Sequence, residues 1–110
     1  MNGYRILFFT QEDRKIGHRL ASEWILSKAK ELKTHGATLT IDAVGFGHSG
    51  NMHSAGLFKI TDRPVTVSVT ADEATCEALM AALAEARADI FFARSLVEFG
   101  RTAEDAPQDQ

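Results

Sequence analysis

The chain predicts an α+β sandwich of the ferredoxin-like type, two helices on one face of a four-stranded antiparallel sheet, and three observations carry that prediction. Apolar residues alternate with threonine and serine at Ala37–Val44 and Val65–Thr70, the period-two signature of half-buried strands. Apolar residues recur at three-and-four spacing from Ile16 to Leu32 and from Cys76 to Leu83, the signature of amphipathic helices. Nearly continuous apolar runs stand at Tyr4–Thr10 and Ile90–Phe99. In chain order these read strand, helix, strand, strand, helix, strand, which is the split βαββαβ arrangement.

Each element has its own justification. Tyr4–Thr10 is rich in aromatic and β-branched residues and predicts a central strand buried on both faces. Asp13 is placed as an N-cap ahead of a long helix carrying Ile16, Leu20, Ala21, Trp24, Ile25, Ala29 and Leu32 on one face. Lys30, Lys33 and His35 suit the negative end of that helix, and Gly36 is the expected stop. Ala37, Leu39, Ile41 and Ala43 then share one strand face, and Val65, Val67 and Val69 share another. Leu57–Ile60 either extends that later strand or forms a separate short piece before a turn at Asp62-Arg63-Pro64. Thr70-Ala71-Asp72-Glu73 has capping-box spacing before the second helix, which Arg87-Ala88-Asp89 ends. Residues 1–100 form one domain, and the acidic segment 101–110 is expected to be a flexible tail.

Composition narrows the function. A chain of 110 residues with 45% apolar content has room for one domain, and a core this small favours association with further copies. A net charge of −3 without a lysine or arginine cluster argues against nucleic-acid binding. Met1–Arg5 runs straight into a strand pattern with no signal-peptide features, which predicts a cytoplasmic protein, and no apolar stretch is long enough for membrane insertion. Cys76 sits in a helical apolar pattern and reads as a small core residue.

The segment from Val44 to Gly56 carries the chemistry. It holds Gly45, Gly47, Gly50 and Gly56 together with His48 and His53, between two strand patterns. Glycine lets consecutive amides converge on an anion with no side chain in the way, so a phosphate site is one reading and a long hairpin connection is the other.

On these residues the chain resembles the PII-like (GlnB-like) superfamily of signalling proteins, and most closely the short bacterial PII-like family long described as a domain of unknown function. The resemblance rests on the helix ending in Gly36, the strand Ala37–Val44, the triplet Gly45-Phe46-Gly47, the His53-Ser54-Ala55 closing the loop, and Pro64-Val65-Thr66-Val67 before an acidic helix start. It runs in order over about Tyr4 to Gly100.

The resemblance implies a homotrimer whose clefts bind an adenine nucleotide (ADP, AMP or ATP), with bicarbonate as a candidate co-ligand. It also implies a T-loop, here about residues 45–56, that changes with ligand and docks on a partner such as a membrane transporter. By position in the family pattern, Gly45, Phe46 and Gly47 form the T-loop base near the phosphates, with His48 directly after. Ser68 and Thr70 lie near the nucleotide base, Arg87 faces a neighbour's nucleotide, and Arg101 supplies a C-terminal cation. No obligatory metal and no enzymatic activity are expected.

This chain departs from the pattern in three places. His48 stands where PII proteins commonly have arginine, which weakens the charge met by phosphate and makes it pH-dependent. Ser68 stands where a carboxylate is common, and the loop lacks the modified tyrosine, since the only tyrosine is Tyr4. Control by uridylylation is therefore not expected. The alternative reading is a CutA-like trimer binding a divalent metal through His48 and His53, although two histidines fall short of the four ligands of a closed zinc site. Arg5 and Arg94 are read as ion-paired strand residues, and Asp13, Asp72 and Glu73 as helix caps rather than catalysts.

Overall fold

A computed structural model describes residues 1–42, 44–46, 52–54 and 63–105. Its frame is a four-stranded antiparallel sheet built from β1 (Asn2–Gln11), β4 (Gly36–Ile41), β7 (Pro64–Asp72) and β8 (Phe91–Glu98), in the order β4-β7-β1-β8. Helices α1 (Ala21–Glu31) and α2 (Glu73–Glu85) complete the βαββαβ sandwich. Two small ribbons are added: β2 (Lys15–Ile16) with β3 (Arg19–Leu20), and β5 (Val44–Phe46) with β6 (Met52–Ser54). A one-turn helix, α3 (Thr102–Asp105), opens the expected tail.

The core lies between the helices and one face of the sheet. Ile6 and Phe8 of β1, Val65, Val67, Val69 and Ala71 of β7, Ile25 and Ala29 of α1, and Cys76 and Leu79 of α2 are buried there. The β4 register, Ala37 opposite Val69, Leu39 opposite Val67 and Ile41 opposite Val65, puts the apolar side of β4 on the same face. On the other face the register aligns Thr40, Thr66, Phe9 and Phe91 in one row and Thr38, Ser68, Leu7 and Ala93 in the next. Among the described residues no helix covers that face, so β1 is central but not buried on both sides: Arg5 is exposed and Leu7 and Phe9 are half-buried.

Several boundaries differ from the sequence expectation for local reasons. The first helix starts at Ala21, because residues 15–20 turn back on themselves as the β2–β3 ribbon around Gly17, whose φ of 62° is easy only for glycine. Asp13 is therefore not its cap, and the N-cap Leu20 offers no side-chain acceptor. At the other end the helix is stopped by Lys33, not Gly36. Lys33 adopts φ 60°, its amide bonds to the Lys30 carbonyl at 3.0 Å, and the Thr34 amide reaches the Ala29 carbonyl at 3.1 Å. These are the two bonds of a Schellman motif. Helix α2 ends in the same way around Arg87, with φ 55°, Arg87 to Ala84 at 3.0 Å and Ala88 to Leu83 at 3.0 Å.

The cap of α2 is Asp72, whose carboxylate accepts from the Thr75 amide at 2.8 Å, while Thr70 of the expected capping box remains in β7. The strand predicted over Ala37–Val44 stops at Ile41, and Val44 belongs to the β5–β6 ribbon. The expectation for Leu57–Ile60 lies outside the described residues. No helix among the described residues is long and apolar enough to cross a membrane.

Candidate functional site

The sheet has two ends, and the residues singled out by the sequence divide between them. β4 runs toward Ile41, β7 starts at Pro64, β1 finishes at Gln11 and β8 begins at Phe91, so these four termini share one end. The chain leaves there into β5. Gly45 and Phe46 lie in that strand, opposite His53 and Met52, so the base of the expected T-loop is a paired ribbon rather than open loop. Gly47 and His48 lie outside the described residues. Arg87 is at the same end, exposed, held in its left-handed conformation just before β8.

The opposite end gathers the start of β4, the end of β7, the start of β1 and the end of β8. Thr70 is paired with Gly36 and Arg5 near this end, and its carbonyl accepts from the His35 amide at 2.9 Å. Arg101 follows β8 here and is exposed. Ser68 lies between the ends on the helix-free face, where its hydroxyl accepts from Arg5 Nε at 3.2 Å. A strand of eight residues at about 3.3 Å each separates the Arg87 end from the Arg101 end by roughly 25 Å. One copy of the chain therefore brings Ser68 near Thr70 but does not bring Arg87 to Arg101.

Charged side chains secure the end from which the ribbon leaves. Arg63 grips Glu12 through two bonds, Nη2 to Oε1 at 2.8 Å and Nε to Oε2 at 3.1 Å, both side chains being about three-quarters buried. The Glu12 amide in turn donates to the Arg63 carbonyl at 3.0 Å. Asp42 donates its amide to the Pro64 carbonyl at 2.9 Å and accepts from the Thr66 hydroxyl at 2.7 Å. Arg14 Nη2 donates to the Asp89 carbonyl, tying the β1–β2 connection to the segment that carries Arg87.

At the far end Asp72 is held below the ordinary aspartate value of 3.8 by its side-chain and backbone hydrogen bonds with Thr75, with His35 adding a favourable charge. The His35 ring lies 4.7 Å from that of Phe99, and Met1 and Phe99 exchange two bonds, amide to carbonyl at 2.8 Å and terminal ammonium to carbonyl at 3.1 Å. Burial pushes the Cys76 thiol above 9.0, so it stays protonated in the core as expected.

Arg5 reads from the sequence as a strand cation without a ligand role, and the structure places it beside Ser68 and level with Thr70. The signal for that position lies in β7, where Ser68 and Thr70 fall on the polar parity; β1 is apolar on both sides of Arg5, so only its pairing with β7 places Arg5 beside them. Arg94 behaves as expected, bonding Glu77 at 2.9 Å and lying over the Tyr4 ring at 4.8 Å. Among the described residues no group of three or more His, Cys, Asp or Glu side chains is placed to hold a metal ion.

A sandwich of this order, with a two-stranded ribbon between its second and third sheet strands, defines a PII-like fold, and comparison with solved structures agrees. The chain is similar to CPII, a nitrogen regulatory PII-like protein from Thiomonas intermedia K12, in a structure bound to ADP, AMP and bicarbonate. That match has a TM-score of 0.69 at 14% identity and covers 94% of this chain and 93% of that one. It is also similar to a protein from Thermus thermophilus described as a "putative PII-like signaling protein", with a TM-score of 0.65 at 12% identity over 88% of each chain. The apo form of CPII gives 0.53 at 12% identity, covering 88% of this chain and 92% of that one. Residues 3–98 match the model of the DUF190 family, described as "Uncharacterized ACR, COG1993", and the chain belongs to that family. No curated protein matches it significantly.

Proposed function

We propose that this protein is a non-catalytic regulator that binds an adenine nucleotide, ADP, AMP or ATP, with bicarbonate as co-ligand, in clefts between the copies of a homotrimer. The observation that carries the reading is the fold shared over 94% of the chain with CPII, whose structure is bound to ADP, AMP and bicarbonate. The split of the sequence-derived residues supports it. Gly45, Phe46 and Arg87 stand at one end of the sheet and Thr70 and Arg101 at the other, so a single nucleotide meets both groups only if one copy's ribbon end abuts the next copy's far end. Exposed Phe91 on the helix-free face adds an apolar reason for copies to associate.

In this reading the Gly45 amide, together with Gly47 and His48, meets phosphate oxygens, and Arg87 adds charge from the same end. The neighbouring copy offers Ser68 and Thr70 toward the base and Arg101 toward the phosphates. Ligand then biases the segment between β4 and β7 toward one arrangement, and a partner such as a membrane transporter reads that arrangement. Such signalling requires the ligand to prefer one loop state over the other, since only differential affinity shifts a population.

Isothermal titration with ATP, ADP and AMP, with and without bicarbonate, together with the solution mass, tests the proposal. Saturable binding to a trimer, lost in Gly47→Val, is the expected outcome. A monomer, or the absence of heat with every nucleotide, overturns it.

A further inference from the structure

A cavity of about 410 Å³ lies where the β2–β3 ribbon, the start of α1 and the edge strand β4 meet, and none of its lining residues is among the nucleotide-binding residues proposed above. Its volume falls in the range of small-molecule sites. Leu20, Leu39 and Val65 give it an apolar wall, and Ser22 and Lys15 supply polar groups. Glu12 and Asp13 also line it, the charge of Glu12 being met by Arg63.

The start of α1 has unmet donors. Leu20 gives no side-chain cap, and the Ala21 amide goes to the Arg14 carbonyl at 2.7 Å. The Ser22 and Glu23 amides, in the second and third helical positions, have no acceptor among the described residues. Ser22 is only 6% exposed, lines the cavity, and its hydroxyl has no partner among the described residues. The Ser22 hydroxyl and the unpaired amides of this helix start are donors that an anion in the cavity would engage. Beside Val65 in the sheet, Thr10 buries a hydroxyl without a partner among the described residues.

We propose that this cavity binds a small monocarboxylate with a short hydrocarbon body. Its carboxylate accepts from the Ser22 amide and hydroxyl, with Lys15 balancing its charge, and its hydrocarbon packs on Leu20, Leu39 and Val65. A single negative charge fits because Asp13 opposes any further one. The apolar wall excludes a bare inorganic anion as the best occupant, since such an ion would leave that wall uncovered.

The test is an amide NMR titration of the full chain with hexanoate and, in parallel, with neutral hexanamide. Hexanoate is expected to shift the Ser22 and Glu23 amides saturably and hexanamide is not. Ser22→Ala is expected to weaken hexanoate about tenfold, the worth of one hydrogen bond to a charged group. Leu39→Trp, at a partly exposed edge position, fills the cavity without disturbing the core and abolishes the hexanoate response. Nucleotide titration of both variants stays as in the wild type, which separates this site from the nucleotide proposal. Unmoved Ser22 and Glu23 amides, an equal response to hexanamide, or unchanged affinity in Ser22→Ala overturns the inference.

Discussion

Where β4 hands the chain to the β5–β6 ribbon, polar side chains reinforce the backbone bonds: Arg63 on Glu12, Thr66 on Asp42, Arg14 on the Asp89 carbonyl. At the opposite end the fastening between strands is mostly backbone pairing. Met1 and Phe99 pair, the His35 amide docks on the Thr70 carbonyl, and Gly3 brings β1 so close to β7 that a Cβ there would fall 2.7 Å from the Asp72 Cα. Backbone contacts of that kind offer no alternative geometry, whereas side-chain ion pairs and hydrogen bonds can exchange one partner for another, protein or ligand. The comparison teaches that one end of this sandwich is built as an anchor and the other as an adjustable mount for the segment proposed to signal.

Gly3→Ala attacks the anchor and should have the largest effect. The added methyl has no room against the Ala71 carbonyl and Asp72, so denaturant unfolding should show a loss of about 3 kcal/mol, the upper part of the range for overpacking. Full stability in this variant would mean that the ends of β1 and β7 can separate freely. Arg63→Ala attacks the mount and should cost about 1 to 2 kcal/mol, since Glu12 would lose a two-bond partner in a largely buried place. The deficit should shrink in high salt, which also weakens the native pair; a salt-independent loss would point to packing instead.

The two left-handed residues sharpen the contrast further. Lys33→Gly and Arg87→Gly should each stabilise by about 1 kcal/mol, because glycine adopts φ near +60° without the Cβ penalty. Only Arg87→Gly should lose nucleotide affinity in titration. Equal loss in both would remove Arg87 from the site. The smallest effect is expected at Asp72. Its lowered carboxyl contributes stability that is fully present above the ordinary value and is lost as pH falls through the lowered one. Asp72→Asn keeps an N-cap acceptor, so it should change thermal stability little at neutral pH and flatten the decline below about pH 4. An undiminished acid slope would assign that decline to other carboxylates.

The regular parts of the fold were legible because hydrophobic period reports burial directly. Val65, Val67 and Val69 announce a one-sided strand, and Cys76, Leu79 and Leu83 announce a helix face; all six are buried as that period requires. What failed was punctuation. Residues 16–20 carry helical spacing at Ile16 and Leu20, yet Gly17 permits a tight turn and the ribbon replaces the first helical turn. Gly36 reads as the helix stop because glycine is the usual left-handed residue, but lysine takes that role three positions earlier, where the Thr34 amide and hydroxyl both reach the Ala29 carbonyl.

For the candidate site, sequence reading found residues by family position and could not reveal that they sit at opposite ends of one chain, since that is a matter of strand direction. It also passed over Ser22. The signal there was subtle, a serine just inside a helix start preceded by leucine rather than by a capping residue.

The central claim is that the nucleotide site is completed between copies, and mixing of variants tests it most directly. Arg87→Ala and Arg101→Ala proteins should each bind ADP poorly when alone. Oligomers assembled from the two together should regain binding in about one cleft in four, because random assortment places an intact Arg87 from one copy beside an intact Arg101 from the next at that frequency. No recovery in the mixture, or normal ADP binding by either variant alone, would contradict the account.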